Sequence, residues 1–431
     1  MKTIIKPERD QWPELCLRPE FNPDVLEKEV MVLLNRIRIE GVPAINEFTE
    51  KFDGYLPSPM QIGGDAISRA GDELSPDLKK AINVAAENIR TFHRSQLRDV
   101  NKVDISLGVR CWQKDVPIDS VGLYIPGGTA PLFSTVLMLG IPATIAGCSD
   151  ISLCTPAGKD GEIHPAILYA ASLCGIDKVY RIGGVQAIGA MAYGIALIPK
   201  ADKIFGPGNQ YVTMAKQIVS RQTTAIDMPA GPSEVLVMAD ETANPGFVAA
   251  DLISQAEHGS DSQVILLCRS RDFASQVQDE LDIILQDLPR AEMAKDSLKN
   301  SKSIVFETNE KMLDFSNVYA PEHLIISVKD AGVIAEKVKN AGSVFIGNYS
   351  PESVGDYASG TNHTLPTNGY AKAYSGITTQ SFMKTIQFQE LTSEGLEQLG
   401  PVVEKMAKEE GLDGHALAVS KRLNKIRNEK I

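Results

Sequence analysis

Short apolar runs alternate with helical stretches along this chain, and glycine or proline marks most of the handovers; this rhythm limits the folds open to it. Strand-like runs at Val121–Ile125, Ile151–Cys154, Lys178–Ile182 and Lys203–Phe205 are separated by helical spacing over roughly Leu132–Ile145, Pro165–Leu173 and Ala187–Ala192. Runs this short and this continuously apolar suit strands buried on both faces of a parallel sheet. The rhythm resumes at Val235–Met238, Gln263–Leu267, Ser303–Phe306, Leu324–Ile326 and Ser343–Ile346, with helices at Gly246–Ala256 and from Arg271 and Lys329. Between the two series, Asp227-Met-Pro-Ala-Gly-Pro-Ser233 reads as a crossing from one α/β unit to the next. Helical spacing also fills Pro23–Asp53 and Pro76–Phe92, and it runs from about Glu390 to the end. The basic finish, Lys421-Arg-Leu-Asn-Lys-Ile-Arg427, is expected to be a solvated helix face.

With 431 residues the chain exceeds one ordinary core, so two or three domains are expected. A net charge of −12 gives no electrostatic footprint for nucleic acid or an anionic membrane, and neither partner is expected. The uncharged stretch from Gly122 to Ser149 is broken by Pro126, Pro131, Gly140 and Pro142, too often for a spanning helix. Six cysteines without a Cys-x-x-Cys pair, mostly in apolar surroundings, read as reduced thiols of a cytoplasmic protein. The N-terminus has no apolar core followed by a cleavage site, so no export is expected.

Four of the six histidines, His258, His323, His363 and His415, stand in polar or glycine-punctuated contexts rather than on apolar helix faces. Together with Gln255 and Asp356 they offer the mix of imidazole, carboxylate and amide oxygen that suits a borderline divalent ion such as zinc. Gln255 and His258, three apart near a helix end, project to one face, although such a pair alone is weak evidence and reads first as a partly exposed polar face. Glu322 and His323 precede the apolar run Leu324-Ile-Ile326 and so stand at a strand entrance, as a base pair or as a mere strand-end feature; spacing does not decide. Tyr124-Ile-Pro-Gly-Gly128, Gly183-Gly-Val-Gln186 and Gly206-Pro-Gly-Asn209 each lie between a strand and a helix, where backbone N–H groups could meet a diphosphate. None is a G-x-G-x-x-G fingerprint, and tight turns would need the same glycines. Cys111 and Cys148 have no adjacent histidine to form a thiolate, which disfavours covalent catalysis. A zinc hydrolase or a non-catalytic binding protein would also fit parts of this set; the first lacks His-Glu-x-x-His, and the second leaves the Glu-His pair without a purpose.

Several longer stretches closely resemble the histidinol dehydrogenase family: Ser120-Val-Gly-Leu-Tyr-Ile-Pro-Gly-Gly128, Lys203-Ile-Phe-Gly-Pro-Gly-Asn209, Ala225-Ile-Asp-Met-Pro-Ala-Gly-Pro-Ser-Glu-Val235, Ser254-Gln-Ala-Glu-His258, Pro321-Glu-His-Leu324, Pro351-Glu-Ser353 and Gly355-Asp-Tyr-Ala-Ser-Gly-Thr-Asn-His363. The resemblance implies an α/β fold of two incomplete Rossmann-like units with parallel sheets and a helical C-terminal extension, assembled as an intertwined homodimer. It implies an N-terminal extension at 1–21, a first unit of 22–119 with 234–375, a second of 120–233, and a helical region of 376–431 reaching the partner subunit. The implied activity is oxidation of L-histidinol to L-histidine, the last step of histidine biosynthesis, with two NAD and one zinc per site. Implied zinc ligands are Gln255, His258, Asp356 and His415. The substrate would be held by Ser233, His363 and Glu410 beside these ligands and His323, and NAD would meet Tyr124, Gln186 and Asn209. Glu322 and His323 match the acid/base pair, and Glu410 and His415 are expected to enter the partner's site.

Overall fold

A computed structural model describes residues 1–19, 23–127, 130–229 and 231–429. The chain divides into two compact units, Met1–Gln96 with Ile118–Phe382, and Leu97–Pro117 with Met383–Ile431.

The first unit holds two parallel sheets built on one plan. In the smaller, Ser120–Tyr124 lies in the middle, Asp150–Thr155 and then Lys178–Arg181 extend one side, and Lys203–Phe205 and Ala225–Ile226 extend the other. In the larger, Glu234–Ala239 has the same central place, with Gln263–Cys268 and Lys302–Val305 to one side and His323–Ser327 and Ser343–Ile346 to the other. Each sheet therefore reverses its winding beside this central strand, and the crevice at such a reversal is where open α/β sheets receive ligands. The central runs Glu-Val-Leu-Val-Met-Ala239 and Gln-Val-Ile-Leu-Leu-Cys268 are buried throughout, as strands covered on both faces must be.

Three expectations change. The residues expected as an N-terminal extension contribute a strand, since the β-branched run Lys2–Ile5 pairs in parallel with Lys302–Val305 at the edge of the larger sheet. The helices Pro23–Glu40 and Val42–Asp53, expected with the larger sheet, pack on the smaller one instead. Val30, Leu34, Ile37, Ile45 and Phe48 share a core with Tyr124, Cys154 and Ile188, and at Gly189 an added Cβ would stand 3.0 Å from Ile37. The second unit is not helical alone: Met383–Leu391, Val109–Pro117 and Lys102–Ser106 form an antiparallel sheet, joined by helices Ser393–Glu409 and Asp413–Glu429. Those strands mix polar and apolar residues on largely solvated faces, so no apolar run announced them; Trp112 stacked on Phe388 at 5.3 Å is their main aromatic contact. Among the described residues no helix is long and apolar enough to cross a membrane.

Candidate active site

The backbone turns sharply to deliver Glu322 and His323. Helix Asn309–Tyr319 ends on Ala320 in the left-handed region (φ 57°), Pro321 follows, and His323 opens the strand His323–Ser327. A Cβ at Gly342 would lie 2.5 Å from the Glu322 carbonyl oxygen, so only glycine lets the next strand approach this corner. Both side chains end up buried. Glu322 Oε2 accepts from the Glu234 N–H at 2.8 Å and lies 3.5 Å from His323 Nδ1.

Two helices bring the remaining donors. Glu352 and Asp356, four residues apart on helix Glu352–Tyr357, share one face. A Cβ at Gly355 would meet the Phe345 ring at 2.4 Å, so this helix lies close over Phe345, the ring that stacks on His323. Asp356 Oδ1 stands 3.4 Å from His323 Nε2, and His323, Glu352 and Asp356 present ligand atoms within 4.8 Å of one another. Gln255, near the end of helix Pro245–Ala256, sets Nε2 2.8 Å from His323 Nδ1. His258 follows in the turn after that helix; it keeps solvent exposure, while the surrounding protein lowers its pKa against the pull of Asp356 and Glu322. His363 is held by the Asp356 carbonyl at 2.9 Å through Nδ1 and by Thr135 Oγ1 at 3.1 Å through Nε2.

Four buried atoms here, Gln255 Oε1, His323 Nε2, Glu352 Oε2 and Asp356 Oδ1, have no hydrogen-bond partner among the described residues. Orphaned polar atoms are costly, and a cluster of them is the signature expected of a cation site. The donor set of amide oxygen, imidazole and carboxylate fits zinc. Burial alone would lower the His323 pKa, but Glu352 and Glu322 outweigh it and hold the imidazole well above its ordinary value. Burial pushes the Glu352 carboxyl far up; for Asp356 the contact with His323 overcomes burial and holds it low. Burial also pushes the Cys148 thiol up to about 11, which removes it as a thiolate nucleophile.

The residues expected to meet NAD gather where the smaller sheet reverses. Tyr124 ends its central strand and accepts at Oη from the Gly184 N–H at 3.2 Å. Gln186, in the first turn of helix Gly184–Tyr193, is buried and donates to Asp53 Oδ2 at 3.0 Å. Asn209 caps helix Gln210–Ser220, accepting from Tyr211 and Val212 N–H. At Gly206 (φ 128°) a Cβ would fall 2.0 Å from the Tyr124 carbonyl oxygen, so the two loops touch. Gly128 lies outside the described residues.

Ser233 stands just ahead of Glu234–Ala239, half-buried. Glu410 and His415 belong to the second unit, where both are exposed. Sequence reasoning missed Glu352 and Glu234 as site residues, although Pro351-Glu-Ser353 and the stretch ending Ser-Glu-Val235 were in view, and it missed Asp53 and Thr135, which lack any motif of their own.

The histidinol dehydrogenase family profile matches residues 17–423. A histidinol dehydrogenase of Bacteroides thetaiotaomicron is 54% identical, over 99% of this chain and all of the relative. One from Aliivibrio fischeri is 51% identical, over 99% and 97% of the two chains. A crystal structure of histidinol dehydrogenase from Elizabethkingia anophelis superposes with a TM-score of 0.96 at 52% identity, covering 99% of each chain. With the profile spanning nearly its whole length and relatives above half identity from end to end, the chain belongs to the histidinol dehydrogenase family.

Proposed function

We propose that the chain oxidises L-histidinol to L-histidine in two successive two-electron steps, releasing two NADH and three protons for each histidinol and water consumed. The observation that carries this reading is the buried set of unpartnered donors, Gln255 Oε1, Asp356 Oδ1 and His323 Nε2, beside Glu322. Gln255, His258 and Asp356, with His415 of a second copy, would hold zinc, which would supply positive charge to orient the substrate's imidazole and amine and to offset the carboxylates holding the His323 proton. Tyr124, Gln186 and Asn209 would hold NAD, which would supply the acceptor for each electron pair.

His323 removes the hydroxyl proton at Nε2, the nitrogen facing Asp356, while Nδ1–H is kept by the Glu234 carbonyl 3.2 Å away. This tautomer is available once the Gln255 amide is engaged elsewhere than on Nδ1. Glu322 then takes a proton from water as it adds to the aldehyde, while His323 returns its proton to the aldehyde oxygen, so that it is free to accept again from the gem-diol in the second oxidation. Base assistance of this kind contributes about 10²–10⁴ in rate. Ser233, His363 and the second copy's Glu410 hold the substrate, which makes the working unit a homodimer; six free cysteines accord with a cytoplasmic setting.

The test is absorbance at the NADH band on mixing protein, histidinol and NAD. Two NADH per histidinol are expected, with none after chelation and recovery on adding zinc. A single NADH per substrate, or indifference to chelation, rejects the reading. Mixed dimers of His415→Asn and His258→Asn chains examine the sharing: half the zinc of wild type is expected, because one site regains all its ligands.

A further inference from the structure

Glu234 lies beneath the Glu322–His323 pair, opening the strand that follows Ser233 and buried to 2% exposure. Arg18 donates to it in a fork, Nε to Oε1 and Nη2 to Oε2, each at 2.9 Å, and the Asn368 N–H donates to Oε1 at 2.6 Å. Arg18 is fixed in turn, lying 3.8 Å from the Tyr319 ring centroid and donating to the Tyr319 carbonyl at 2.9 Å and the Cys16 carbonyl at 3.3 Å. The main chain of Glu234 then touches both members of the pair. Its N–H donates to Glu322 Oε2 at 2.8 Å, and its carbonyl oxygen lies 3.2 Å from His323 Nδ1.

We propose that Glu234, locked by the Arg18 fork, is the positioning residue that sets the Glu322 carboxylate and the His323 ring for proton transfer. The proposal rests on the reading of Glu322 and His323 as the acid/base pair. A planar two-point grip fixes the carboxylate in position and rotation, which a single ammonium cannot do. With the side chain anchored, the peptide groups on either side of Glu234 cannot rotate. The Glu322 oxygen and the orientation of the His323 ring are thereby set before substrate arrives. The segment around residue 18 is thus built into the support of the site rather than appended to it.

The experiment uses the full zinc-loaded chain carrying Arg18→Ala, Arg18→Lys or Glu234→Gln. For Arg18→Ala, kcat should fall about 10–100-fold, the cost of a misplacement well under an ångström to about one ångström, while zinc content and KM for NAD stay within about twofold. Added guanidinium should restore kcat in Arg18→Ala, by refilling the space between Tyr319 and Glu234, and should do nothing for wild type; Arg18→Lys should recover less. If Arg18→Ala does not fold, Glu234→Gln decides: it keeps the side-chain volume and an acceptor for Asn368, yet should lose about tenfold in kcat with zinc retained. Wild-type kcat in a folded variant overturns the proposal, as does a loss that tracks zinc content and ignores guanidinium. Glu322→Gln and His323→Asn run alongside: if they keep full kcat the acid/base reading itself fails, whereas their loss beside an active Arg18→Ala sinks only the lock.

Discussion

Replacing Gly206 by alanine tests whether the reversal point of the smaller sheet receives NAD. The new Cβ would stand 2.0 Å from the Tyr124 carbonyl oxygen, where ordinary contact begins at 3.4 Å, so the two loops must part by about 1.4 Å (3.4 − 2.0). Gly206 is also tied to a buried ion pair: its N–H donates to Asp227 Oδ2 at 2.9 Å and its carbonyl accepts from Lys216 Nζ at 2.7 Å. Losing one such charge-assisted bond costs about 1.5–3 kcal/mol, and forcing a side chain onto a φ of 128° adds about 1–3 kcal/mol. The variant should therefore be destabilised by about 2.5–6 kcal/mol locally while the strands beneath stay paired. In steady-state assays KM for NAD should rise about tenfold or more, because Tyr124 and Asn209 no longer face a common crevice. KM for histidinol and zinc content should hold. A folded Gly206→Ala enzyme with unchanged KM for NAD would refute the placement of the nucleotide.

Further outcomes are expected elsewhere in the site. Glu322→Gln should impair oxidation of supplied histidinal far more than oxidation of histidinol to the aldehyde level, seen by single-turnover NADH formation; equal losses would remove Glu322 from water activation. His323→Asn should slow both half-reactions about 10²–10⁴-fold with zinc still bound, and a loss of metal would make it a ligand instead. Burial raises the Asp53 carboxyl to about 6, so the folded state holds its proton more tightly than the unfolded chain. That stabilising term is present below about pH 4 and is lost as pH rises through about 6. Asp53→Asn should then gain on wild type by about 1 kcal/mol or less between pH 5 and 7.5, once solvent screening of this partly exposed group is allowed for. Urea midpoints at the two pH values measure it, and parallel pH dependence in both proteins would contradict it.

The two parallel sheets were legible because burial on both faces writes itself as unbroken apolar runs, as at Val235–Met238 and Gln263–Leu267. The hairpin at 102–117 and its partner Met383–Leu391 were not, because solvated antiparallel strands such as Val-Arg-Cys-Trp-Gln-Lys-Asp-Val-Pro117 carry no such run. The sequence offered the residues proposed as ligands by type: amide, imidazole and carboxylate near glycines. It hid the residues that act through the backbone. Glu234 looks like any acidic residue before a strand, and nothing local shows that Arg18, 216 positions away, grips it. Likewise nothing in the sequence marks Gly342 and Gly355 as places where a neighbour approaches too closely for any Cβ.

The unpartnered buried atoms around His323 are read as a cation site, and equilibrium dialysis of zinc against the metal-depleted protein examines that reading at its source. One tightly held zinc per chain is expected in the wild type, with affinity for Asp356→Ala weakened about 100-fold or more. Full occupancy in Asp356→Ala, or no zinc uptake by the wild-type chain, would contradict it.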